Sequence, residues 1–354
     1  MAYTTIDNSE LYFQTQLYTG SNSGQSITFD GSENMQPDWV WIKSRNGNSR
    51  DHCLYDVVRG VNKRIEANNN NSENTDSGQL TSFDSDGYTV GTTEADINSG
   101  GRTFASWNWL AGGSASSNSD GGITTSVSAN TTSGFSIVKW TGNGSATTLG
   151  HGLGSVPKVL FLKTLDRSEN WVVYHVGNDA AAPEDKSIRL DGSNAVQDNA
   201  THFNDTAPTS SVFSVGASNG VNPSGEEMIA YCFAEKQGFS KIGSYEGSGD
   251  ADGPLIYTGM STAFVLLKEI DNANNWMIYD NKRSPFNLRD DFISPDISDA
   301  EYTGNANNRM DMLSNGFKIR GTGSATNRSG STYIYMSFAE SPFVSSGGTP
   351  TTAR

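Results

Sequence analysis

Three observations predict an all-β fold of three tandem antiparallel β-sandwich modules. One set of strand blocks is written three times, short apolar runs are punctuated by Gly, Asn, Ser and Asp, and the composition suits strands and turns better than long amphipathic helices. The first block reads WVWIK at 39–43, VLFLK at 159–163 and FVLLK at 264–268. The next reads HCLYD at 52–56, WVVYH at 171–175 and WMIYD at 276–280. SDGYTVG (85–91), SSVFSVG (210–216) and SNGFKIR (314–320) follow, and ASWNW (105–109), IAYCF (229–233) and YMSF (335–338) close each set. The blocks recur in the same order roughly every 105 to 125 residues, a domain-sized period rather than that of a solenoid.

Each copy opens with a strand that ends on an aromatic residue and a glycine turn: LYTG at 17–20, KWTG at 139–142 and SYEG at 244–247. Glycine suits that turn because it takes positive φ without steric cost. A loop carrying Pro37 or Pro157 leads in two copies to the apolar strand, whose unbroken apolarity predicts burial on both faces under a second layer. Lys43, Lys163 and Lys268 are expected at that strand's exit, stem on the core edge and ammonium in water. Polar segments of unequal length, 62–80, 177–208 and 285–308, read as surface excursions and as the natural seat of any specificity.

The domains implied are a module at 1–111, a Gly/Ser/Thr linker at 112–133, modules at 134–235 and 236–343, and a tail at 344–354. The linker reads as flexible, whereas the short junction between the second and third modules predicts one rigid body there.

With 24 Lys and Arg against 39 Asp and Glu, the formal charge of −15 repels phosphate backbones and anionic lipid, so neither nucleic acid nor membrane is an expected partner. The first residues lack the basic start and apolar core of a secretory signal, which points to a protein assembled in a cytoplasm. Cys53 aligns with Val172 and Met277, and Cys232 with Asn108 and Ser337, so both are expected as reduced, unpaired thiols.

No constellation of residues announces catalysis. His52, His151, His175 and His202 have no metal-ligand spacing, and no Gly-x-Ser-x-Gly elbow occurs. Glu269 and Asp271 resemble part of a glycosidase strand motif, but the second glutamate that a two-carboxylate mechanism needs is missing. The turns at 84–87 and 250–253 begin like calcium loops and lack the distal bidentate Glu. No cofactor is expected. Asp56 with Arg59 and Asp280 with Arg283 form a repeated pair, His175 and Asn178 replacing it in the second copy, and these read as local surface contacts.

Of the seven tryptophans, Trp39, Trp41 and Trp109 align with apolar residues in the other copies and read as core. Trp107, Trp171 and Trp276 are the candidates for a ligand-facing role, since an exposed indole stacks on a sugar ring.

The blocks SDGYTVG (85–91), WNWLAG (107–112), HGLGSVPK (151–158), AYCFAEK (230–236) and YIYMSFAE (333–340) resemble the tandem-module virion proteins of marine tailed bacteriophages, over nearly the whole chain. The resemblance implies lectin-like jelly-roll sandwiches and a virion structural role, as tail fibre, tail appendage or capsid decoration. It supplies no catalytic residues. The expected partners are other virion proteins, further copies of the chain (a homotrimer first, because thin modules leave unpaired edges) and a host surface polysaccharide. A glycan depolymerase and a connector without receptor affinity are the alternatives.

Overall fold

The computed structural model describes residues 2–47, 49–92 and 94–350, and these are almost entirely β-strand and turn. In each copy the four repeated strands form one antiparallel sheet in the order opening, closing, lysine, tyrosine. They are Phe13–Thr19, Thr103–Trp109, Trp39–Ser44 and Cys53–Asp56 in the first copy. Phe135–Thr141, Glu227–Phe233, Val159–Thr164 and Val172–His175 form the second, and Ser240–Glu246, Thr332–Pro342, Met260–Glu269 and Met277–Asp280 the third.

The register is the same in all three. Trp39 faces Trp109, Val159 faces Phe233 and Phe264 faces Phe338. Tyr55, Tyr174 and Tyr279 occupy one equivalent position, opposite Val40, Leu160 and Val265.

Alternation along each lysine strand sends its residues to two different cores. Val40 and Ile42 of the first copy pack with Tyr55, Leu80, Tyr88 and Val90 beneath a small sheet of Gln25–Ile27, Gly87–Val90 and Leu80–Asp84. The second and third copies have matching private cores. With three, two and three strands, these covering layers are smaller than those of the expected jelly roll, an eight-stranded fold of two Greek keys.

The other face of each main sheet covers its two sisters. Trp39, Trp41, Trp107, Trp109, Phe135, Phe161, Tyr231, Phe233, Phe264 and Phe338 belong to one continuous core drawn from all three copies. The equivalent aromatics Trp109, Phe233 and Phe338 form a triangle with centroid separations of 6.3, 5.6 and 5.9 Å, all edge-to-face. That geometry marks a pseudo-threefold axis, and each such ring pair adds about 0.5–1.5 kcal/mol beyond the area it buries. The unbroken apolarity of the lysine strands thus reflects cover from two sources, one being the rest of the chain.

Two expectations about the chain's articulation need correction. The Gly/Ser/Thr segment 112–133 is no flexible linker: Ser116–Asn118 and Thr125–Asn130 extend the second sheet beside its opening strand, with Val127 buried opposite Val138. Small residues there allow close packing, because a Cβ on Gly112 would lie 2.5 Å from the Ala129 carbonyl oxygen. The second and third copies, expected to form a body apart from the first, share one core with it.

Candidate functional site

The copies meet at three seams, each closed by equivalent contacts running in one rotational sense. The indole N–H of Trp171 donates to the carbonyl of Glu66 (2.7 Å) and that of Trp276 to the carbonyl of Arg189 (2.8 Å). His52, at the same position of the first copy, places Nε2 3.1 Å from the Ser294 carbonyl. Since His52 Nδ1 accepts from the Trp41 indole, Nε2 carries the proton, and burial depresses the imidazole pKa well below its usual value. Trp171 and Trp276 are therefore not ligand platforms: both are buried, with their one polar atom spent on the neighbouring copy. The same holds for Trp107, which is buried and donates to Asp280 Oδ2 across the seam at 3.0 Å.

Lys43, Lys163 and Lys268 are also corrected, for none reaches water with its charge. All three are buried, and their ammonium groups donate across the seams to the carbonyls of Ser298, Asn70 and Ser193 at 3.1, 3.4 and 3.3 Å. Burial pushes each pKa down to about 8. The same carbonyls accept from the backbone N–H groups of Arg50, Glu169 and Asn274, and the backbone N–H groups of Glu301, Glu73 and Val196 return bonds to the carbonyls of Arg45, Leu165 and Ile270 respectively. The excursions thus act as clasps as well as surface loops. Burial likewise pushes up Asp191, to about 6, and Asp296, to about 7. Asn68 takes the equivalent place in the first copy, its amide oxygen accepting from the His52 backbone N–H.

The Asp–Arg pairs are interior features, not surface contacts: Asp56, Arg59, Asp280 and Arg283 all have fully buried side chains. Asp280 receives Arg283 Nε, two backbone N–H groups and the Trp107 indole. Burial opposes its charge, but Arg283 and the other donors hold its carboxyl below the usual range.

Sequence reading missed Asn98, Asn222 and Asn327. Each side-chain oxygen accepts the backbone N–H just after a glycine turn, from Ser21, Asn143 and Ser248 respectively. A Cβ at Gly20, Gly142 or Gly247 would come within 2.2, 2.1 or 2.3 Å of a carbonyl oxygen in the segment following each asparagine. The signal was present, for each asparagine lies 11 residues before Trp109, Phe233 or Phe338. The seam acceptors carried no such signal, because a backbone carbonyl is common to every residue type.

At the rim, one place in each copy lies between the start of the tyrosine strand and the turn bearing these asparagines. In the first copy it is filled with charge: Arg64 pairs with Glu66, Glu94 and Asp96, and Arg50 with Asp96. In the second, Ser187 Oγ and Asn199 Nδ2 hold the two ring nitrogens of His202 at 2.7 and 3.1 Å, beside a cavity of about 100 Å³. The third copy has an open cleft of about 380 Å³ with Asn275, Ser294, Tyr302 and Asn305 among its walls. This copy also holds five of the eight large exposed apolar side chains among the described residues: Leu255, Tyr257, Phe286, Leu288 and Tyr302.

The carboxylates of the glycosidase-like string have structural partners. Buried Glu269 binds Asn272, Asn274 and Arg328, and Asp271 accepts the Thr332 N–H. Among the described residues no three His, Cys, Asp or Glu side chains converge as metal ligands. Cys53 and Cys232 are buried free thiols in different private cores.

Fold and rim together define an all-β protein whose one chain folds as three sister units about an axis. The chain belongs to the family of a domain of unknown function, DUF7483, whose model matches residues 8–342 and so takes in all three copies. No curated protein matches the chain.

Proposed function

We propose that this protein is a structural component of a tailed-phage virion surface, a tail fibre, appendage or capsid decoration, made in the host cytoplasm and acting by adhesion. The sequence blocks motivate the phage assignment. The observation that carries the adhesive reading is the contrast between axis and rim: aromatic packing and seam bonds recur threefold, while among the described residues the rim differs in each copy and the third leaves an open, uncharged cleft. A rigid frame displaying one distinct surface suits attachment. Further copies of the chain, a homotrimer first, stand beside other virion proteins as the proposed partners.

Assembly with another virion protein is the second reading, favoured by exposed Leu255, Tyr257 and Phe286 on the third copy. Electron microscopy of purified virions labelled with antibody against the protein tests the location, and label restricted to unassembled protein overturns it. Incubating the protein with host polysaccharide and measuring reducing ends separates adhesion from depolymerisation.

A further inference from the structure

We propose that the cleft of the third copy binds a neutral sugar residue of a surface glycan, an inference that rests on the adhesive reading and gives its ligand a chemical class. Four features of the cleft converge on that class. First, the side chains lining it carry no formal charge. An anionic or ammonium ligand would lose water there without gaining a counter-charge, whereas asparagine amides offer donor and acceptor together, as sugar hydroxyls require.

Second, hydrogen-bonding capacity is left unspent. Ser294, one of the wall residues, has a buried Oγ without a hydrogen-bond partner. The Asn275 amide and Asn305 Nδ2 make no hydrogen bond among the described residues, while Asn305 Oδ1 is fixed by the N–H groups of Asn307 and Asn308. Third, the walls include an aromatic platform. Tyr302 stacks on buried Phe292 at 4.8 Å and 16°, and is 36% exposed, offering apolar ring surface to the C–H face of a pyranose.

Fourth, the sister sites have used the same positions otherwise. Arg64 and Ser187 stand where the third copy has Phe292, and Asp96 and Gly220 where it has Ala325. Arg64 is consumed by carboxylates and Ser187 by His202, so neither copy offers at this position the aromatic pair that Phe292 and Tyr302 form in the third. The volume lies near the lower end for small-ligand sites and suits one sugar or the end of a chain.

The test uses the full chain and saturation-transfer NMR with methyl glucoside, galactoside, mannoside and N-acetylglucosaminide, with glucuronate and glucosamine as charged controls. In parallel, fluorescent protein is applied to cells of the strain that propagates the virus. A neutral glycoside should bind and the charged controls should not. Asn275→Ala and Tyr302→Ala should each weaken binding roughly tenfold, with Asn71→Ala on the first copy unchanged. Asn305→Ala serves if either variant fails to fold.

Attachment that the bound glycoside inhibits supports both site and reading. Attachment without any neutral-sugar binding, or binding indifferent to the cleft variants, overturns the site and leaves adhesion standing. Sugar bound at the cleft without attachment to cells keeps the site and overturns adhesion. Failure of both measurements overturns both.

Discussion

At two seams a buried carboxylate receives an aromatic donor from the neighbouring copy: Tyr231 reaches Asp56 at 2.7 Å and Trp107 reaches Asp280 at 3.0 Å. At the third seam the residue in the donor's place is Met336, which has no proton to give, and His175 stands where the carboxylate would be. His175 Nδ1 accepts the Gly177 N–H at 2.9 Å, as Asp56 and Asp280 accept from Val58 and Lys282, while Nε2 donates to the Tyr335 carbonyl at 3.1 Å. Asn178 replaces the arginine. Donor, acid and base have changed together. A buried charge persists only where every partner is present, and a neutral pair serves where one is lost.

The most disruptive way to probe that contrast is His175→Asp, which puts a carboxylate opposite Met336. Loss of about 3–5 kcal/mol is expected in denaturant unfolding, with most of it recovered on adding Asn178→Arg and Met336→Tyr. Lack of recovery would show that the three positions do not act as a unit.

Acid sharpens the same contrast. Burial lowers the His175 pKa to about 4, against about 6.5 unfolded. The unfolded chain therefore binds the extra proton first, so stability present above pH 6.5 is lost as pH falls toward 4, by about 3 kcal/mol from this group. His175→Gln keeps a donor and an acceptor without titrating, and its unfolding free energy should lack this component between pH 4 and 7.

The seam lysines work in the alkaline range. Their folded pKa of about 8 lies below the ordinary lysine value of 10.5, so proton release comes earlier in the folded state and stability rises with pH between these values. Replacing Lys268 by Met should remove about 2 kcal/mol of that rise, measured as the difference in unfolding free energy between pH 7.5 and 9.5. The interval ends before buried tyrosines such as Tyr279, whose pKa burial raises, begin to dominate.

The smallest effect concerns the donor alone. Trp107→Phe keeps most of the ring and leaves one Asp280 oxygen without its cross-seam bond, for a cost of about 1–2 kcal/mol. Met336→Leu, which severs no hydrogen bond, should cost less than this in the same assay.

The triplication, the all-β class and the strand register were legible because apolar and aromatic residues recur at fixed positions, as with Trp39, Val159 and Phe264. The third layer was not legible. Alternation tells which side chains share a face, but not whether solvent or a sister sheet covers it. For that reason the sequence leaves Trp107, Trp171 and Trp276 as candidates for either a ligand or the core, and points Lys43, Lys163 and Lys268 to water. The cleft was hidden more deeply: Asn275, Ser294, Tyr302 and Asn305 span 31 residues with no spacing that marks a site. The segment 112–133 misled because Gly, Ser and Thr serve a tightly packed strand pair as well as a flexible linker.

The central claim, three copies sharing one interior, is tested most directly by differential scanning calorimetry of the intact chain. One cooperative transition is expected, with calorimetric and van't Hoff enthalpies in agreement, because no copy can expose its inner face without breaking the aromatic triangle. Separate transitions, with the first copy melting while the other two stay folded, would contradict it.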